Sequence, residues 1–182
     1  MNADVSPADV VGFWQDAGPK RWFKKDDAFD REIRERFLPA HEAAADGQLT
    51  AWEQSAQGAL ALLILLDQFP RNMFRGEARA FATDPMARSI AAGAIVRGYD
   101  GEVAPQMRGF FYLPFEHSEL LADQERAVAF NKATGDADGL KWAEIHADII
   151  RRFGRFPHRN AVLGRATTPE EQAFLDSGGF SG

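Results

Sequence analysis

The 182-residue sequence predicts an all-α protein with about seven or eight helices packed as antiparallel pairs. Three observations carry this prediction. Helix-capping residues and helix-ending glycines recur along the chain, and apolar residues repeat at three- and four-residue spacing. No segment sustains the alternation of apolar and polar residues that marks a half-buried strand. The small residues of Gly76–Gly98 are similar to helix pairs of tetratricopeptide repeats, so a tetratricopeptide-repeat-like superhelix is predicted.

The first two helices are marked by their caps. Ser6-Pro7 supplies an N-cap serine and a proline at the first helical position, and this helix is expected to end at Gly18. The second helix is expected to begin near Asp26. Its apolar residues repeat every four positions over Phe29–Phe37, which defines a buried stripe. Pro39 is expected to kink or break this helix because proline cannot complete the helical hydrogen bonds.

The third helix is the most apolar. Thr50–Glu53 matches a capping box and is expected to open it, and the helix is expected to end at Phe69, before Pro70. The run Leu62–Leu66 is apolar on every side, which predicts a position at the centre of the core. The longest apolar run is far shorter than the roughly 20 residues of a membrane-spanning helix, so no membrane partner is expected.

The second half of the chain is predicted to hold four further helices, each bounded by a cap or by a glycine. They are expected at Asp84–Arg97, from Glu116 to about Ala133, from Gly139 or Leu140 to Phe153, and from Thr168 to Ser177. The tail Gly178–Gly182 is expected to fray.

Composition limits the classes of function. Hydrophobic residues make up 45% of the chain and charged residues 26%, so we expect residues 1–182 to form a single helical domain. The net charge of -6 argues against nucleic acid as a partner, and the absence of cysteine excludes disulfides and thiolate metal sites. The N-terminus lacks the basic and apolar regions of a signal peptide, so a soluble, cytoplasmic protein is expected.

The first polar segment, Asp67–Asn72, places a carboxylate in the last turn of the apolar helix. Burial and the helix dipole both disfavour Asp67 there unless a cation pairs with it, and Arg71 and Arg75 are nearby candidates. Two interpretations stay open. Asp67 either forms a structural pair that fixes the turn after Pro70, or it faces a ligand.

The second polar segment, Pro114–Glu119, combines two carboxylates with a histidine at a predicted helix start. Glu116 and Glu119 would complement the helix dipole in a purely structural interpretation. In the functional interpretation, His117 stays neutral at the helix N-terminus and Glu116 orients it. That arrangement would suit a general base or a metal ligand.

The third polar segment, Arg151–Asn160, is rich in arginine although the protein is acidic. Its cations either bind the carboxylate or phosphate of a ligand, or hold the acids of the other two segments in an internal network. His146, on the preceding helix, borders an apolar stripe and is either a hydrogen-bonded core residue or part of the site. The candidates beyond the helix end are Arg155, His158, Arg159 and Asn160.

Motifs recur along most of the chain. They are Phe13-Trp14, Arg21-Trp22-Phe23 with Phe29-Asp30, Leu66–Asn72 with Phe74-Arg75-Gly76, Leu113–Glu119 with Asp123-Gln124, and Arg152–Arg165 followed by Thr168 and Glu171. Together, these segments resemble the bacterial domain-of-unknown-function family 924. The resemblance extends from about Val10 to Leu175 and implies an all-helical fold similar to tetratricopeptide-repeat proteins. It implies no established activity, so it supplies no catalytic residue.

The residues favour a small-molecule pocket for an anionic ligand, a carboxylate or a phosphate, and leave open whether the protein is an enzyme. This pocket requires the three polar segments to converge. A helical module that binds a protein or peptide, and a purely structural polar network, are the alternatives. No motif identifies a cofactor, and no metal ligand is assigned. The candidate catalytic residues are His117, His158, Glu116 and Asp67, and the candidate ligand-binding residues are Arg71, Arg155, Arg159, Asn160, Glu119 and His146.

Overall fold

The computed structural model describes residues 5–180, and within that range every regular element is helical. This confirms the all-α prediction. Contacts group the described residues into two compact units. The first comprises the chain up to Arg75 together with Arg79–Pro114, and the second comprises Gly76–Ala78 and the chain from Phe115 onwards. The single domain and the tetratricopeptide-like superhelix stay predictions. None of the helices within residues 5–180 is long and apolar enough to cross a membrane.

The first unit holds six α-helices, joined by turns and short 3₁₀ segments. They are α1 (Pro7–Ala17), α2 (Pro19–Trp22), α3 (Asp27–Ala45), α4 (Ala56–Leu63), α5 (Phe69–Met73) and α6 (Asp84–Val96). Ser6 caps α1 in a full capping box, and Asp26 caps α3 through two backbone N–H groups, as predicted. Of the kink or break predicted at Pro39, the break is wrong, since α3 continues through it with Ala40 and Ala44 buried on the far side.

The start predicted for the apolar helix is also wrong. Thr50–Gln54 forms a 3₁₀ turn without a side-chain cap, and Ser55 caps α4 instead by accepting a hydrogen bond from the Gly58 N–H. Gly58 is required here because a Cβ would collide with the carbonyl of Trp52. The whole stretch Ala59–Leu66 is buried, which confirms its place in the core.

The apolar helix does not end before Pro70. It continues from α4 through a π-helical turn, Ile64–Gln68, directly into α5. Pro70 has no N–H to offer to the carbonyls four and five residues before it, so these need other donors. His41 Nδ1 donates to Leu65 O at 2.9 Å, and Thr83 Oγ1 donates to Leu66 O at 2.5 Å. Side chains from two other segments therefore stabilise the π turn.

The second unit is built on α8 (Leu121–Thr134), α9 (Ala137–Phe153) and α10 (Pro169–Asp176), and α8 packs against α9. Thr168 caps α10 in a capping box, and Gly154 ends α9 with a positive φ of 70°, as predicted. Residues 178–180, part of the tail expected to fray, follow α10 without helical structure, and Phe180 packs on the apolar cluster of the unit. Residues 181–182, also part of that prediction, lie outside the described residues.

The helix predicted to start at Glu116 is interrupted. Glu116 ends the short helix α7 (Leu113–Glu116), and α8 begins five residues later. Gln124 holds the turn between them by donating from Nε2 to the carbonyls of Glu116, at 2.7 Å, and of Ser118, at 2.6 Å. The Ser118 hydroxyl donates to Asp123 at 2.7 Å. These buried side chains satisfy the backbone that a continuous helix would have paired.

Candidate functional site

The second and third polar segments converge within the second unit. The carboxylate of Glu119 accepts hydrogen bonds from the Phe156 N–H at 2.8 Å and from two nitrogens of Arg165 at 2.7 and 3.0 Å. Burial of Glu119 opposes its ionisation, but these hydrogen bonds outweigh burial and hold its pKa below the usual range. Glu119, a predicted ligand-binding residue, therefore serves the fold by anchoring the loop after α9. Sequence reasoning did not name Arg165 as its partner.

Glu171 is the centre of a second set of contacts in this unit. Its carboxylate accepts from Arg155 at 2.7 and 2.9 Å, from Asn160 Nδ2 at 3.1 Å and from the Thr168 N–H at 2.8 Å. The Arg155 hydrogen bonds are the main reason why the pKa of Glu171 falls to about 2. Arg155 and Asn160, both predicted to bind a ligand, are thus engaged with a residue that the sequence identified only as part of a helix cap.

The first polar segment belongs to the first unit, where its charges pair with one another and with Asp84. Asp67 is only 1% exposed and lies 3.4 Å from Arg71, and it also accepts a hydrogen bond from Gln68 at 2.5 Å. Arg71 donates twice to Asp84, at 3.0 Å each. Burial alone would lower the pKa of Arg71, but Asp67 and Asp84 outweigh burial and raise it. These contacts match the structural interpretation of Asp67. Arg75, the other candidate partner, pairs with Asp30 instead.

The buried pair of Glu116 and His146 differs from these saturated sets. His146 Nδ1 lies 3.4 Å from Glu116 Oε2, and this nitrogen makes no hydrogen bond of good geometry. Asn131 Nδ2 donates to the other oxygen of Glu116 at 3.0 Å and to the carbonyl of Ala127. Sequence reasoning missed Asn131, since an asparagine within a helix carries no signal of its own.

Aromatic rings enclose His146 and His158. Phe180 meets the two imidazoles edge to face, with centroids 4.6 Å from His146 and 5.2 Å from His158. Phe156 lies 5.6 Å from each of them, and the guanidinium of Arg159 stands 4.6 Å above its ring. Two predicted histidines and one predicted arginine therefore share one aromatic cluster.

His117 lies elsewhere than predicted. It is half-buried in the turn between α7 and α8, so the argument that a helix N-terminus keeps it neutral does not apply. Among residues 5–180, no group of three or more histidine, aspartate and glutamate side chains could hold a metal ion. Two surface clefts of the first unit are lined by none of the predicted site residues.

Comparison with known proteins identifies the family. The chain is similar to a solved structure of a protein of unknown function from Agrobacterium tumefaciens, with a TM-score of 0.91 and 53% sequence identity. The similarity covers 94% of this chain and 97% of that one. No curated protein matches. The model of a family described as bacterial protein of unknown function (DUF924) matches residues 10–179, nearly the whole chain. This confirms the resemblance noted from the polar segments, and the chain belongs to the DUF924 family.

Proposed function

We propose that the protein binds a small anion, a carboxylate or a phosphate, at the cluster formed by His146, His158 and Arg159. The proposal is carried by one observation, the buried His146–Glu116 pair. The buried carboxylate of Glu171 accepts well-formed hydrogen bonds from Arg155, Asn160 and the Thr168 N–H, whereas His146 Nδ1 meets Glu116 only at 3.4 Å. A buried polar atom without a well-formed hydrogen bond is costly for a fold, and functional sites are where such costs are commonly found.

The chemistry of the cluster favours an anion that exchanges a proton. Arg159 carries a permanent positive charge, and each of the two histidines adds one more positive charge when it is protonated. Glu116 favours the tautomer of His146 that carries its proton on Nδ1, which leaves Nε2 to accept a proton from a ligand. Glu116 and Asn131 would thus orient the base, while Phe156 and Phe180 exclude water from it.

Thermal unfolding of the full chain in the presence of inorganic phosphate, acetate or citrate tests this function. An anion that binds the folded state should raise the unfolding midpoint as its concentration rises. The shift should disappear in His146→Gln and in Arg159→Gln and persist in Arg151→Gln. This last variant removes the same charge from an exposed position on α9, the helix that carries His146.

The midpoints without anion show whether the site variants fold. Histidine NMR of the wild-type protein supplies a readout that does not depend on variants, since the chain has four histidines. Anion binding should move the ring signals of His146 and His158 and leave those of His41 unchanged. Midpoints and ring signals that respond to none of these anions would contradict the proposal and leave the cluster with a structural role.

A further inference from the structure

A cleft of about 470 Å³ opens between α1, α2 and α3 in the first unit. Its volume falls within the range of sites that bind small molecules, roughly 300–1,000 Å³. None of the polar segments discussed above contributes to it. The lining residues that matter for the argument are Gly12, Phe13, Asp16, Arg21, Glu32 and Arg36.

Gly12 leaves the floor of this cleft open. It lies in the middle of α1, where glycine destabilises a helix relative to alanine. Neither usual structural reason for glycine applies, because its φ is not positive and a Cβ would meet no heavy atom within 4 Å. Gly93 in α6 is similarly uncrowded, with its nearest neighbour at 3.8 Å, but it lines neither cleft. The two glycines therefore form a matched pair for experiment.

Two arginines border the cleft with hydrogen-bonding capacity to spare. Arg21 stands 4.0 Å above the ring of Phe29, and Arg36 stands 4.5 Å above the ring of Phe13. Each guanidinium makes a single contact with a carboxylate, at 3.4 Å for Arg21 and 3.2 Å for Arg36. Their side chains are 42% and 51% exposed. A guanidinium has five N–H donors, so each can place two more on a ligand carboxylate.

Asp16 lines the same cleft and carries a charge opposite to that of the two arginines. Asp16 lies in the last turn of α1, where the helix dipole disfavours a negative charge. It makes no ion pair or hydrogen bond with the part of the chain that the structure describes. Arg21 pairs with Asp26 and not with Asp16. An ammonium group from outside the chain would satisfy this acid.

We propose that the α1–α3 cleft binds a zwitterion of the α-amino-acid type, a free amino acid or a dipeptide with an apolar side chain. The ligand carboxylate bridges Arg21 and Arg36, and the ligand ammonium pairs with Asp16. The apolar side chain lies along the backbone at Gly12 and against the half-buried ring of Phe13. This site is independent of the anion site proposed in the second unit.

Calorimetric titration of the full chain tests the site with a matched set of probes. L-leucine, L-phenylalanine and glycyl-L-leucine carry both charges, whereas N-acetyl-L-leucine lacks the ammonium and L-leucinamide lacks the carboxylate. The zwitterions should bind at least about tenfold more tightly than either singly charged analogue, because each missing group removes a charge-assisted hydrogen bond. Asp16→Asn should weaken the zwitterions to the level of the acetylated probe and leave that probe unchanged.

Two variants distinguish an effect on ligand binding in the cleft from an effect on the stability of the fold. Gly12→Val places a side chain on the floor and should abolish binding, while Gly93→Val makes the same change in α6 and should leave binding intact. If Gly12→Val fails to fold, Arg36→Gln, on an exposed side chain, replaces it and should weaken the carboxylate-bearing probes. His146→Gln should change none of these affinities. The anion site proposed in the second unit and the zwitterion site in the cleft can therefore be disproved independently of each other. Absence of binding of all three zwitterions up to about 10 mM, or equal affinity in wild type and Asp16→Asn, would overturn the proposal.

Discussion

Arginine is used in two different ways in the second unit and in the α1–α3 cleft. Arg155 and Arg165 each place two hydrogen bonds on one carboxylate, at distances from 2.7 to 3.0 Å. Arg21 and Arg36 make one longer contact each and lie above phenylalanine rings. A bidentate pair fixes two chain segments to each other, whereas a partly used guanidinium keeps donors for a ligand. Saturation of hydrogen-bonding capacity therefore separates structural cations from candidate binding cations, although their residue type is the same.

The largest expected effect contrasts a saturated aspartate with an unpaired one. Asp67→Ala leaves Arg71 partly buried without one of its two carboxylates and should lower the free energy of unfolding by about 3 kcal/mol. Asp16→Ala removes an exposed acid from the end of α1 and should change that free energy by no more than about 0.5 kcal/mol. Urea unfolding of both variants measures the difference. Equal losses of unfolding free energy in the two variants would contradict the distinction between the saturated charges and the unpaired ones.

Acid should weaken the contacts of Glu171. The pKa of Glu171 is depressed from 4.5 to about 2, so its contribution to stability is present above pH 4.5 and is lost as the pH falls towards 2. Glu171→Gln should therefore be less stable than wild type at neutral pH, and the gap should close between pH 4.5 and 2. Urea unfolding across this range measures the gap. Glu170→Gln is the control because Glu170 is exposed and its contact with Arg152 is long, at 3.6 Å. The difference in stability between this variant and wild type should be small at every pH.

The smallest expected effect concerns the floor of the cleft. Gly12→Ala should raise the free energy of unfolding by at most about 1 kcal/mol, since alanine favours the helix and the added Cβ meets nothing. Gly93→Ala should give a similar gain in α6. Thermal unfolding of the two variants would show this as a small rise in midpoint. A loss of stability in Gly12→Ala alone would indicate that the cleft is filled by the chain itself.

The features that could be predicted from the sequence are mostly local. The hydroxyls of Ser6 and Thr168 accept hydrogen bonds from N–H groups three residues away. The starts of α1 and α10 therefore follow from a few neighbouring residues. The start of α8 could not be predicted in this way. It depends on Gln124, whose side chain binds backbone carbonyls six and eight residues earlier, on the far side of the turn.

The polar site shows the same limit. The sequence identified the right residue types, but their partners are distant in the chain. Arg155 pairs 16 residues away with Glu171, and Glu119 pairs 46 residues away with Arg165. No periodicity or spacing encodes such pairs, because the fold brings them together. The cleft was not predicted either, since its charged residues Asp16, Arg21 and Arg36 form no motif and come from three different helices.

The π turn after α4 has a consequence for the helix that contains it. An α-helix turns by 100° per residue, and a π turn inserts one residue without starting a new helix. The side chains beyond Ile64–Gln68 are thereby shifted in phase relative to those before it. This helix packs with α4 on α1 and with α5 on α3. If the same residues formed a regular α-helix instead of the π turn, Arg71 would be rotated by about 100° around the helix axis, away from Asp84. The extra residue thus allows one continuous helix to pack its side chains on α1 before the turn and on α3 after it.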